Sequence, residues 1–374
     1  MPVATAIPQF DLTRQYQQLQ DVLTPIAQEV LAKGVYVGGS PVAQFEQAFA
    51  QYVGVAHCIS CNSGTDALYL ALRALGVRAG DEVITSAFSF IATAEAISLT
   101  GATPVFVDVE LDTFNLDLEQ VAQRITEKTK AVLPVHLFGR PVDMTALNRL
   151  AQAHGLAVIE DCAQATGSRW QGQPVGRWGT LGCFSFYPTK NLGAVGDGGA
   201  ITTQDVTLAQ RIREIKNHGQ RERYNSVTVG VNSRLDALQA ALLTAKLSYL
   251  EPWLAQRRAL AQNYRELLAG IPEIILPQDC PGHSWNQFTI IIQKDYINRD
   301  DLRTKLQQVG IGTAVYYPVP LPLQPVYQHL QYKKATIPRS VDLSQRVLSL
   351  PLFPELTPGE QAQVAEQVRH LGGG

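Results

Sequence analysis

Between His57 and about Thr203, short β-rich runs alternate with amphipathic helical patterns, and this alternation constrains the fold more than any other feature. Strands are predicted at 55–59, 82–85, 105–108, 131–135 and 156–161. Residues 65–75 place Leu68, Leu72 and Leu75 at i, i+4 and i+7 on one helical face, and further helices are expected through 92–96 and over Met144–Ala153. Strands separated by helices are joined by right-handed crossovers, so the sheet is mostly parallel and covered on both faces. The fold class is therefore α/β. Two more runs, 183–186 and 199–202, follow without a helix between them and predict an antiparallel excursion.

The pattern changes further along. A helix is expected over 208–216, then a polar loop over 217–232, then a largely helical stretch over 235–268 that Pro252 kinks or divides. After Pro272 the reading is α+β, with a strand at 288–292, a helix at 301–309, Pro-rich turns and a final helix near 360–371. A boundary near 245–270 gives residues 1–250 as an N-terminal arm and a large α/β domain, and 251–374 as a smaller α+β domain. The chain has 374 residues, which suits roughly two to three domains of about 100–200 residues each.

Composition narrows the function classes. With 31 Lys+Arg against 33 Asp+Glu, the net charge of -2 argues against a protein built to grip nucleic acid or anionic membrane. At 45% hydrophobic residues the chain is not of a disordered type. No apolar run approaches the roughly 20 residues of a membrane span. The start, Met1-Pro2-Val3-Ala4-Thr5, lacks the basic n-region of a secretory signal, so a soluble cytoplasmic protein is expected. Five cysteines, an odd number spread thinly, do not suggest a disulfide framework. Cys58 and Cys61 form a C-x-x-C pair, but the next cysteine is Cys162 and no H-E-x-x-H occurs, so no metal site is assigned.

Ligands of parallel α/β sheets sit at the carboxyl ends of the strands, where helix N-termini also point. Three features fall there. Asn62-Ser63-Gly64-Thr65-Asp66, between the first strand and its helix, offers free backbone N–H groups and a helix dipole to a phosphate; an ordinary N-cap is the alternative. Asp161 ends the fifth strand and suits an N-cap or a partner for a protonated ring nitrogen. Lys190 stands in the segment Ser185-Phe186-Tyr187-Pro188-Thr189-Lys190-Asn191-Leu192-Gly193, beside apolar strand residues, where desolvation would make its amine a nucleophile. The neighbouring glycines form neither a Walker loop nor a dinucleotide fingerprint. A phosphate cradle, a strand-end carboxylate and a sequestered lysine together meet the requirements of pyridoxal 5′-phosphate, whose aldehyde a lysine holds as an imine. Phe88, just after the second strand, is placed either to cover the cofactor ring or to pack in the core.

At this point the chain resembles the DegT/DnrJ/EryC1/StrS family of pyridoxal-phosphate sugar aminotransferases. The matching pieces are Phe10-Asp11-Leu12, Tyr36-Val37-Gly38-Gly39, Ser63-Gly64-Thr65-Asp66-Ala67-Leu68, Glu160-Asp161-Cys162-Ala163-Gln164-Ala165, the Ser185–Gly199 segment, and Gly230-Val231-Asn232-Ser233-Arg234-Leu235-Asp236 with the helix after it. The resemblance implies the aspartate-aminotransferase-like fold (type I) and a homodimer with shared active sites. It assigns Lys190 as the catalytic lysine and covalent tether, Asp161 to the pyridine nitrogen and Gln164 to the ring hydroxyl. It gives Gly64, Thr65 and Ser185 to the phosphate, Asn232 to the partner's phosphate, and Phe88 to the ring face. By the same analogy L-glutamate donates an amino group to the keto group of a nucleotide-linked sugar. Retention of lysine at 190 argues against the dehydratases of the family, which carry histidine there. The segment Tyr316–Gln324 looks like the branch that aminates C3, although Pro322 stands where that branch often has histidine. A dTDP- or UDP-3-oxo-hexose is therefore expected over a 4-oxo-hexose, with Tyr187 and Tyr317 as candidate sugar contacts. A regulatory protein that binds the cofactor without turnover is the alternative of another class.

Overall fold

The computed structural model describes residues 6–293 and 297–372. Seven strands form the central sheet: β1 (His57–Cys61), β2 (Glu82–Ser86), β3 (Thr103–Val107), β4 (Thr129–Leu133), β5 (Ala157–Asp161), β6 (Leu181–Ser185) and β7 (Gly199–Thr203). Their order is β1-β7-β6-β5-β4-β2-β3, and only β7 runs antiparallel to its neighbours. The mostly parallel sheet and the antiparallel excursion are both as the sequence predicts. The first strand lies two residues later than expected. Val55 instead closes the preceding helix by donating to the Ala50 carbonyl, and Ala56 N donates to Gln204 Oε1.

Helices α1 (Leu12–Lys33) and α2 (Gly39–Val53) occupy the region read as an arm. Asp11 caps α1 by accepting from Thr13 N and Arg14 N, and Gly34 ends it in the left-handed region. The sheet is flanked by α3 (Gly64–Ala74), α4 (Ile91–Leu99), α5 (Leu118–Arg124), α6 (Met144–Ala153) and α7 (Val206–Ile215). Leu68 and Leu72 of α3 are buried as the periodicity requires, but Leu70 and Ala71 are buried too, because α3 lies between the sheet, α4 and α7. Helices α8 (Ala237–Leu247) and α9 (Leu250–Leu267) replace the single long stretch. The break falls at 248–249, and Pro252 sits in the first turn of α9, where its missing N–H costs no hydrogen bond.

A smaller antiparallel sheet joins β8 (Ile274–Ile275), β9 (Phe288–Ile292) and β10 (Val347–Leu350), with α10 (Arg299–Gln308), α11 (Pro338–Arg346) and α12 (Pro358–Gly372) beside it. Leu260, Ala261 and Tyr264 of α9 pack into this second core, while Leu250 and Leu254 of the same helix pack with Phe45, Phe49 and Phe184 against the large sheet. Ile7 joins the second core through a bridge to Ile311. Among the described residues no helix is long and apolar enough to cross a membrane.

The C-x-x-C pair is settled by strand geometry. Cys58 and Cys61 are three residues apart on β1, so they point to opposite sheet faces, and each is buried in a different core. Burial pushes the Cys61 thiol up to about 12 and Cys58 well above its ordinary value. A second cluster, His136, Glu160 and Cys162, brings potential ligand atoms together. Its capacity is spent on the fold, however. Glu160 accepts from Gly176 N (2.9 Å), Trp178 N (2.8 Å), Gly179 N (2.7 Å) and His136 Nε2 (3.0 Å), while His136 Nδ1 accepts from Val142 N. This hub pins β5 and the turn after β4 to the loop that enters β6. Removing the carboxylate leaves three backbone donors without partners, at about 1–3 kcal/mol each. Glu160→Ala should therefore lower unfolding stability in urea by at least about 3 kcal/mol. A variant as stable as the wild type would contradict that assignment.

Candidate active site

Asp161 is the last residue of β5 and is almost fully buried. Its Oδ1 accepts from Ala163 N at 3.1 Å and its Oδ2 from Thr93 Oγ1 at 2.9 Å. Thr93, in the first turn of α4, is in turn 2.9 Å from Ser89 Oγ. Burial raises the Asp161 pKa, against the lowering effects of these hydrogen bonds and of Lys190.

Lys190 lies in the turn after β6, its N–H bonded to the Tyr187 carbonyl at 2.9 Å. Desolvation pulls its ammonium down to about 8, and only the charge of Asp161 opposes that. No direct ion pair joins the two among the described residues. The turn is clamped from both sides. Asn191 donates to the Thr166 and Ser284 carbonyls and accepts from Asn286 Nδ2, while the buried Lys246 Nζ holds the Gly193 carbonyl at 2.6 Å.

The turn between β1 and α3 comes together at the same end of the sheet. Ser63 caps α3 by accepting from Asp66 N at 3.1 Å. Ser233 braces the turn, accepting from Asn62 N and donating to Asp66 Oδ2 at 2.6 Å. A Cβ on Gly64 would stand 2.7 Å from Ser185 Cβ, and one on Gly199 would stand 2.2 Å from the Ser63 carbonyl oxygen. Glycine is therefore required at both places, and the backbone of the turn lies against Ser185. Thr65 follows, half-buried, in the first turn of α3.

Gln164 Oε1 accepts from Phe138 N at 2.7 Å, and Gln164 Nε2 donates to Tyr317 Oη at 2.9 Å. Asp161, Gln164, Lys190 and Tyr317 thus share one region, with Tyr317 feeling the charge of Asp161. Tyr187 is half-exposed at its edge. Asn232 is exposed, its backbone bridged to Asn217, while its neighbour Ser233 serves the cradle of its own chain.

Phe88 requires a correction. Its side chain is 1% exposed and packs with Val109, Phe114, Val135 and Phe138, so it is a core residue with no free ring face. The aromatic left open is Phe90, the residue before α4, at 55% exposure and 6.1 Å from the Tyr317 ring. Thr93, Ser89, Ser233 and Asn191 were also missed. A serine or threonine near a helix N-terminus was the available signal for Thr93 and Ser89; the other two are brought in by tertiary packing alone.

The pH behaviour of the lysine can be checked directly. Acylation of Lys190 in cofactor-free protein, followed by mass spectrometry across pH, should report an apparent pKa of about 8. Asp161→Asn should lower it further, because the carboxylate is what favours the ammonium. An unshifted Lys190, titrating like a surface lysine, would overturn this account.

Comparison with known proteins points one way. Residues 18–369 match the model of the DegT/DnrJ/EryC1/StrS aminotransferase family. The chain is 45% identical to the "pleiotropic regulatory protein" of Geobacillus stearothermophilus, with 97% of each chain covered. It is also 45% identical to the UDP-N-acetyl-3-dehydro-alpha-D-glucosamine 3-aminotransferase of Acidithiobacillus ferrooxidans, with 98% of each covered. Among solved structures, S. venezuelae DesV in complex with a ketimine intermediate superposes with a TM-score of 0.95 at 43% identity, covering 99% of both chains.

Proposed function

The chain belongs to the DegT/DnrJ/EryC1/StrS aminotransferase family, and from that premise we propose that it moves an amino group from L-glutamate to C3 of a dTDP- or UDP-linked 3-oxo-hexose. The observation that carries this reading is the pairing of Lys190 and Asp161. They form a desolvated amine and a desolvated carboxylate that influence each other's charge without a direct bond. Two relatives at 43% and 45% identity are named as transaminases of 3-amino or 3-dehydro sugars, which supports C3 over C4.

The residues present fit pyridoxal 5′-phosphate, the cofactor of this family. At Gly64 and Gly199 any Cβ would collide with Ser185 or with the Ser63 carbonyl, so the turn before α3 packs its backbone against Ser185, and the free N–H groups of the α3 N-terminus would receive an anionic group there. When bound, the cofactor supplies an electron sink for the carbon that loses a proton. Asp161 would hold its ring nitrogen, Gln164 its ring hydroxyl, and Gly64, Thr65 and Ser185 its phosphate. Phe90, rather than Phe88, would cover the ring. Lys190, with its ammonium pulled down to about 8, would be about half deprotonated at pH 8 and is suited to serve both as tether and as the base that takes a proton from the amino-acid α-carbon and returns it. Clamping by Asn191 and Lys246 restricts where its Nζ can reach.

The same reading makes the working unit a homodimer, with Asn232 of the partner subunit completing the phosphate site. Support comes from Val35, Tyr36 and Val37, consecutive large side chains that one chain leaves half-exposed. The division into residues 1–250 and 251–374 belongs to this proposal too.

The purified holoenzyme should lose its cofactor absorbance band when L-glutamate is added and recover it with a dTDP- or UDP-3-oxo-hexose, but not with the 4-oxo isomer. Mass spectrometry and NMR of the product locate the new amine. Lys190→Ala should abolish turnover, and Gly64→Ala should weaken cofactor retention on dialysis by at least ~10-fold, one such factor being about 1.4 kcal/mol. A wild-type band indifferent to every amino acid would instead favour the cofactor-binding regulator that the name of the Geobacillus relative suggests.

A further inference from the structure

Asp161 ends a chain of hydroxyls whose direction is fixed by its acceptor. An ionised carboxylate carries no hydrogen, so Thr93 Oγ1 is the donor to Asp161 Oδ2 at 2.9 Å. That bond spends the single hydrogen of the threonine hydroxyl. The contact between Ser89 Oγ and Thr93 Oγ1, also 2.9 Å, therefore has Ser89 as its donor. The order runs from Ser89 to Thr93 to Asp161, and each bond polarises the next toward the carboxylate.

The fold gives this threonine an uncommon task. A Ser or Thr within a helix ordinarily returns its hydroxyl hydrogen to a carbonyl of the preceding turn, as Ser98 of α4 does to the Ala94 carbonyl at 3.2 Å. Thr93 instead reaches across to β5. The turn that carries Ser89 is fastened by backbone bonds: Ala87 N donates to the Val107 carbonyl, Leu321 N to the Ala87 carbonyl, and Thr93 N to the Phe90 carbonyl. Ser89, Thr93 and Asp161 are all buried. Burial raises the affinity of Asp161 for a proton, and the Ala163 N–H, the Thr93 hydroxyl and the charges of Lys190 and His136 oppose it. Cys162, Cys183 and Tyr317 also bear on the carboxylate, and burial holds these thiols and this phenol neutral. Thr93 and Ala163 N fill two of the roughly four acceptor sites of a carboxylate, so a further N–H can still be received.

We infer that the Ser89–Thr93 hydroxyl pair decides where a shared proton rests, keeping it on the ring nitrogen of the bound cofactor and off Asp161; this rests on the function proposed above. Thr93 is a positioning residue that acts through Asp161, and Ser89 is one that acts through Thr93. Without the pair, the desolvated carboxylate is the stronger base and draws the proton to itself. A ring that has lost its proton is the poorer electron sink.

Two measurements read this without turnover. The first uses holoenzyme loaded with pyridoxal 5′-phosphate that is 15N-labelled at the ring nitrogen. Thr93→Val should move the 15N resonance from the pyridinium position toward that of the unprotonated ring. Thr93→Ser keeps the donor and should restore it, while Ser89→Ala should give a smaller move in the same direction. The second uses cofactor-free protein carrying 13C-carboxyl aspartate, with Asp161→Asn assigning the signal. There Thr93→Val should raise the Asp161 titration midpoint by about one unit, the loss of one hydrogen bond to a charged group. If Thr93 only starts α4, Thr93→Val lowers stability in urea and leaves both signals in place, which would overturn the inference. A move as large in Thr93→Ser as in Thr93→Val would overturn it too. If Thr93→Val does not fold, Ser89→Ala decides alone: both signals must shift in the stated sense, and unmoved signals refute the assignment. Failure of the aminotransferase reading is distinguishable, because the wild-type band would then ignore glutamate, whereas the 13C titration needs no ligand.

Discussion

Burial pulls both Asp161 and Lys190 toward their neutral forms, while the charge of each favours ionisation of the other. Were they joined in a tight ion pair, the lysine would be a strongly protonated ammonium with no use as a nucleophile. Were they far apart, desolvation alone would act on each. Their placement at the ends of neighbouring strands, β5 and β6, sets the intermediate case. The rest of the architecture serves to keep that spacing.

Three backbone-directed systems do so. The Glu160 hub fixes β5 and the turn after β4 to the entrance of β6 and occupies both ring nitrogens of His136. Asn191, Asn286 and Lys246 hold the lysine turn against α8 and the smaller sheet. Gly64 and Gly199 let β1, β7 and Ser185 approach so closely that the α3 N-terminus opens onto the same space. Buried polar groups are expensive unless fully satisfied, so each system is either complete or a source of instability. Here the polar groups surrounding Asp161 and Lys190 are paired with backbone or with one another.

Much of this was legible in the chain. Alternating apolar runs announce a parallel sheet because a strand buried on both faces and an amphipathic helix differ in period. The carboxyl ends of strands announce where a ligand goes, so Gly64, Asp161 and Lys190 could be picked out together before any coordinates. Element boundaries slipped by one or two residues where a helix cap competes with a strand start, as at Val55. The helices of the first fifty residues were read only as an arm, since α1 buries little beyond Leu19, Leu23 and Val30 and shows a weak apolar stripe.

Phe88 and Phe90 mark the limit of that reading. Both are phenylalanines after β2, two residues apart, and sequence offers no ground for preferring either. Which one meets the core and which is left open depends on how the chain turns from β2 into α4, and on the packing of Val109, Phe114 and Phe138 around one of them. The same holds for the direction of the Ser89–Thr93–Asp161 chain, which joins residues 4 and 68 positions apart. By itself the sequence determined the α/β class and singled out one end of the sheet and Lys190 as candidates, because these follow from local period and residue type. Only the tertiary structure decided which aromatic is open, which polar groups are spent and which way a hydrogen points, because those depend on contacts between segments distant in the chain.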